Sequence, residues 1–238
     1  MFSGRLTRII AISVTAIAIG GGVYGIVSAA AGNNSGTSTT ARSPAATSGR
    51  FAPGRGGSIA RSGPAPGGAV GTVASVSTSN FTLSTSAGQN VTVTKASSTK
   101  CTTGTRSTSA GAIKRGEAVL VLGTTNGTTI TATQVIVQPP AGSTTSSSAA
   151  GVVPFQRGAP STSKHVGQIP ANYRQGSGTI VSGATANKAT EAALTAYPGG
   201  IVDRVVKLSN GEYEVHNIGV NWPHHIFVNE NFKAVGAD

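Results

Sequence analysis

The chain has 238 residues, of which 27 are Ser, 30 Thr and 33 Gly, and only 11% are charged, under half the usual share of about 25%. The formal charge is +11, but it is spread thinly, with Arg42, Arg50, Arg55 and Arg61 standing singly among Gly, Ser and Pro, without the clustered Lys/Arg and stacking aromatics of a nucleic-acid module. Cys101 is the single cysteine, which excludes an internal disulfide and a thiolate metal cluster.

At the start, Arg5 and Arg8 precede Ile9–Ala31, a run of 23 residues without a charge. As a helix it is long enough for a hydrocarbon core of about 30 Å. Two readings stay open. In one, residues 9–31 are a retained transmembrane anchor, giving a single-pass cell-membrane protein with its C-terminus outside. In the other, Ile9–Ile19 is the apolar region of a signal peptide cleaved near Ala31, and the protein is secreted. Residues 32–68 then read as a disordered basic linker, because Phe51 and Ile59 are its only sizeable apolar groups and cannot offset the chain entropy.

Residues 69–138 alternate as strands do. Val70–Val76 opens the region, Phe81 and Leu83 share one face, and so do Val91 and Val93. Ala118–Leu122 is a short apolar run with the character of a buried strand. Asn126-Gly127 predicts a type I′ hairpin turn, since Gly supplies positive φ, and Ile130–Val137 returns. Five short strands predict a small all-β barrel or sandwich. The segments Gly71-Thr72-Val73, Phe81-Thr82-Leu83, Val91-Thr92-Val93, Ile113 to Gly123 and Ala132 to Val137 resemble a family of small bacterial secreted β-domains. The resemblance implies an OB-like barrel and no known catalysis.

Residues 139–175 read as a second disordered linker, with Pro139-Pro140 ending the strand before it and Ser143–Ser148 of low complexity. Over 176–238 the pattern changes. Thr185 reads as the cap of a helix over about Ala186–Tyr197, with Ala189, Ala193 and Tyr197 on one stripe. Pro198-Gly199-Gly200 stops it. Strands follow at Ile201–Leu208, Glu212–Ile218, His225–Asn229 and Phe232–Val235, joined by Asn210-Gly211 and Trp222-Pro223. One helix on such a meander predicts an α+β two-layer sandwich. Ala192-Ala193-Leu194, Pro198-Gly199-Gly200, Val202, Val205, Gly211, Tyr213-Glu214-Val215, Phe227-Val228 and Phe232 resemble a PepSY domain, with Val181 to Gly236 covered. That resemblance implies contact with an envelope protein or a peptidase.

No catalytic motif occurs: the chain lacks Gly-x-Ser-x-Gly, His-Glu-x-x-His and a Walker lysine. No cofactor and no enzyme activity are expected. His216 and His225 on a hairpin, with Glu214, are the weak candidates for a metal, read otherwise as exposed polar residues. The partner-binding candidates are Trp222 at a hairpin tip and the terminal edge strand Phe232, Lys233, Ala234 and Val235. The leading expectation is a non-enzymatic bacterial envelope protein acting by protein contact or peptidase regulation. The alternative is a structural or adhesive module whose basic stalk meets anionic wall polymers, and no nucleic-acid partner is expected.

Overall fold

The computed structural model describes residues 64–138 and 151–238. The first stretch forms β1 (Ala65–Val76), β2 (Asn80–Ser84), β3 (Asn90–Thr103), β4 (Arg106–Thr108), β5 (Ala118–Asn126) and β6 (Thr129–Val137). Five of them follow one another as β2-β3-β6-β5-β1, and β1 also pairs with β2, so the sheet closes into a five-strand barrel. β3 and β6 run parallel, and the other barrel pairs are antiparallel. Alternation does what period-2 geometry requires: Val73, Phe81, Leu83, Val91, Val93, Val119, Val121, Ile130 and Val135 fill the interior.

Two turns show how local chemistry sets the register. Asn126 pairs with Thr129, so the two central residues are Gly127 and Thr128, one position later than the sequence predicts. Gly127 has φ +57° and Thr128 does not share the positive φ, the pattern of a turn with Gly first rather than of type I′. At Asn210-Gly211 the loop spans three residues between Leu208 and Glu212, whose backbones bond at 2.8 Å, with Gly211 at φ +89°.

The second stretch forms β7 (Val153–Pro154), β8 (Val166–Gly167), β9 (Thr179–Ile180), α1 (Gly183–Ala196), β10 (Ile201–Lys207), β11 (Tyr213–Ile218), β12 (Val220–Trp222), β13 (His225–Val228) and β14 (Ala234–Ala237). β10 pairs with the barrel strand β1 through Gly68↔Val202 and Ala69↔Ile201, and the order continues β10-β11-β13-β14-β8. The glycines of β1 make this possible. A Cβ on Gly67 would stand 1.9 Å from the Val202 carbonyl oxygen, and one on Gly68 would stand 2.1 Å from that of Val121. Any side chain there would force the strands apart.

This arrangement corrects the expected fold class. The C-terminal region is no separate α+β PepSY-like layer, and the PepSY assignment is withdrawn. Its strands extend the sheet of the barrel, and the protein is mostly β with one described α-helix. The cores are also shared. Ile201 of β10 enters the barrel interior, while Leu120 and Leu122 of β5 face outward into a second core with Ala186, Ala189, Ala193, Leu194, Val205 and Trp222. β5 is apolar on both faces because both are covered. The helix begins at Gly183 after Ser182, so Thr185 lies inside it and is not its cap.

The linker expectation changes as well. Val153 and Pro154 pair with β12, and Val166 and Gly167 pair with β14. Ile169 and Tyr173 join Val206, Leu208, Phe227 and Val235 in a third small core. Isolated apolar residues are enough here because the sheet already exists and offers both an edge and a face.

The single-pass membrane assignment is likewise corrected. Among the described residues no helix is long and apolar enough to cross a membrane. α1, at 14 residues, spans about 21 Å. Residues 9–31 and the cleavage position near Ala31, on which both the anchored and the secreted readings rested, lie outside the described residues, as do 32–63 of the first linker and 139–150 of the second.

Candidate functional site

The site grows from the alternation of three strands. On β10, β11 and β13 the residues Val202, Val205, Tyr213, Val215, Ile226 and Val228 face α1. The opposite face carries Arg204, Glu214, His216 and His225, with Val206 and Phe227 further along. Between Val202 and Arg204 the register slips: Val202 pairs with Asn217, and Arg204 pairs with His216. One extra residue on β10 therefore opposes a single residue of β11, which is a bulge. It places both Asp203 and Arg204 opposite His216, and Asp203 Oδ1 stands 2.6 Å from His216 Nδ1.

His216 pairs in register with His225, the juxtaposition considered from the sequence. Glu214 lies diagonal to His225 across the same pair. Its Oε1 is 2.8 Å from His225 Nδ1 and 3.6 Å from Arg204 Nη2. The carboxylate is fully buried and Arg204 is 5% exposed. A carboxylate in such a place is costly unless it is paired and hydrogen-bonded; here the Arg204 guanidinium and the His225 ring both meet Oε1, while Oε2 is buried without a hydrogen-bond partner. The cover is Tyr173, whose ring meets Phe227 edge-on at 4.8 Å and whose hydroxyl lies 3.0 Å from His225 Nδ1. Burial, and then the negative charge of Glu214, push the Tyr173 phenol far above its ordinary range.

His224 completes a group of three. Its Nδ1 is 3.2 Å from the Asn217 carbonyl oxygen, and its ring centroid lies 6.4 Å from that of His216 and 6.5 Å from that of His225. The His216–His225 separation is 5.3 Å. Burial lowers the His224 pKa, and the neighbouring His216 and His225 lower it further, against the Asn217 carbonyl bond. A carbonyl and an ionised carboxylate only accept hydrogen bonds. Facing such acceptors, a neutral imidazole carries its proton on Nδ1. The three rings line an open cleft of about 410 Å³ together with Ser161–Ser163, Gln175, Trp222 and Asp238.

The sequence candidates fall as follows. Glu214 lies beneath His225 with its Oε1 on that ring's Nδ1, so His216, His225 and Glu214 are no ligand set. In the positions they occupy, no three His, Cys, Asp or Glu groups among the described residues are placed to hold a metal ion. Trp222 is fully buried; its Nε1 donates to the Lys164 carbonyl at 2.7 Å, Tyr197 meets it edge-on at 5.6 Å, and Lys164 Nζ sits 4.7 Å over its ring. Phe232 stacks on Tyr213 at 5.4 Å, Lys233 is exposed, and Ala234 pairs with Val228. The Val235 carbonyl accepts from Gln168 N at 2.8 Å. The expected open edge is thus already occupied by residues 166–168. The chain matches no family model, no curated protein and no solved structure.

Sequence reasoning missed Asp203, Arg204, His224 and Tyr173. A signal for the first two exists: in Ile-Val-Asp-Arg-Val-Val the apolar alternation breaks by one residue, which is how a bulge reads. Nothing local marks Tyr173.

Proposed function

We propose that the protein is a non-enzymatic binding protein that works by contact with another protein, taking up extended segments by strand addition. The observation that supports this reading is the way the chain's own short segments attach, two to the large sheet and one to β12, which forms a separate two-stranded sheet with it. Two residues, Val166 and Gly167, dock on β14; Val153 and Pro154 dock on β12; Thr179 and Ile180 dock on β10. Each attachment is mostly backbone hydrogen bonding, which any partner's extended segment also supplies. Short intramolecular strands of this kind cover edges that otherwise invite pairing, and a partner segment with better side-chain contacts displaces them.

The test uses the whole chain as bait in an extract of its source cells, with and without excess of a synthetic peptide spanning residues 163–170. The reading expects a retained protein whose capture the peptide reduces. No retained protein, or capture indifferent to the peptide, overturns it.

A further inference from the structure

We propose that the edge of β14 selects its partner by sequence. It takes an extended segment in which a Lys or Arg is followed two positions on by an aliphatic residue, then directly by a glycine, and two positions later by a second aliphatic residue. The inference rests on the strand-addition reading above and gives that partner a chemistry.

The chain's own occupant of the edge is the template. Lys164-His165-Val166-Gly167-Gln168-Ile169 runs from the Trp222 ring along β14, and four of its positions meet distinct constraints. The first is a cation. Lys164 Nζ stands 4.7 Å over the Trp222 ring, and Trp222 Nε1 donates to the Lys164 carbonyl at 2.7 Å. Together these contacts fix backbone and charge against one indole. Trp222 is fully buried, and a cation over a desolvated Trp is a strong form of this interaction, which Arg makes as readily as Lys.

The next two are apolar anchors. Val166 pairs with Ala237 and packs against the core under α1. Ile169 packs into the small core on the other face of the sheet, with Phe227 and Leu208. The fourth is the glycine. Gly167 has φ +71°, and a Cβ there would stand 2.2 Å from the Val235 carbonyl oxygen. A residue with a side chain meets neither condition. The remaining positions are undemanding. Gln168 is exposed and gives its backbone N–H to the Val235 carbonyl at 2.8 Å. His165 meets Asp238 at 3.2 Å with 64% of its side chain exposed, a surface pair of little weight. Main-chain bonds thus supply affinity, and the four constrained positions supply choice.

The experiment opens the edge in the full chain and offers it peptides. Gly167→Val no longer lets the chain's own segment dock. Val166→Ser combined with Ile169→Ser frees the edge by a second route, and circular dichroism identifies the opened chain that keeps the parent fold. Binding of a peptide spanning residues 163–170 is read from the fluorescence of Trp222, the single tryptophan, and from the anisotropy of a dye on the peptide. The parent peptide and one carrying Lys164→Arg should bind alike. Lys164→Ala in the peptide should weaken binding about 2–30-fold, Val166→Ser about tenfold and Gly167→Ala about tenfold or more. Gln168→Ala should leave it unchanged. Equal binding by all these peptides overturns the selectivity and leaves strand addition standing, as does a captured partner whose displaced segment lacks the pattern. No binding of the parent peptide to a folded, opened chain overturns both readings. Parent chains that pair with one another in light scattering, and part when the peptide is added, assign the edge to a second copy and overturn the proposal of a separate partner.

Discussion

Leu120 and Val121 are neighbours in the chain and belong to different hydrophobic cores. Val121 points into the barrel, and Leu120, like Leu122, points into the core under α1. One strand is therefore a shared wall, and the two parts of the described structure are coupled through it.

Shared walls predict shared melting. Leu122→Ala should cost about 2–5 kcal/mol, the usual range for a fully buried leucine. The loss should appear in one cooperative transition of the whole chain, followed by circular dichroism and by Trp222 fluorescence together. Two separated transitions, with the barrel signal unmoved, would show that the cores are independent.

The Arg204–Glu214–His225 group is a second sensitive point. Removing one member of a buried charge pair leaves the other uncompensated. Glu214→Ala should lose about 3–5 kcal/mol in denaturant unfolding, whereas Glu212→Ala, on the exposed turn beside Asn210, should change it by less than about 0.5 kcal/mol. Equal effects would mean that Glu214 is not held as described.

Docking of residues 166–168 on β14 rests on a close backbone approach. A Cβ on Gly236 would lie 2.0 Å from the Gln168 carbonyl oxygen. Gly236→Ala should release this segment and speed proteolysis between residues 155 and 175, with the barrel left folded. An unchanged cleavage pattern would contradict the packing.

Cys101 reports on the barrel. It is 4% exposed inside the first core, and burial raises its thiol pKa. The reactive form is the thiolate. Labelling by a disulfide reagent at neutral pH should be slow in the native protein and become fast across the unfolding transition. Rapid stoichiometric labelling of native protein would place the thiol elsewhere.

Tyr197 gives a pH dependence of known sign. Burial raises its phenol pKa above the ordinary 10.0. Below that value the native and unfolded states are both protonated, and its contribution is intact. As the pH rises past it, the unfolded state ionises first, so stability falls. Tyr197→Phe should flatten the loss of melting temperature between about pH 9.5 and 11. A slope identical to the parent's would remove Tyr197 as its source.

Much of the barrel was legible in the residues themselves. Alternation at Phe81-Leu83, Val91-Val93 and Ile130 to Val137 determined which side chains point inward, because strand geometry has a strict period of two. Glycine turns and the stop at Pro198-Gly199-Gly200 are equally local. Tertiary structure alone decided the rest. That β10 adds to β1 depends on Gly67 and Gly68 meeting backbones distant in sequence, and no pattern within either segment encodes which edge will be met. The burial of Glu214 depends on Tyr173, which is 41 positions before it in the chain and lies in a stretch too polar to form a core alone. A residue's exposure is a property of what covers it, and here the cover comes from a segment whose order exists only once the sheet beneath it has formed.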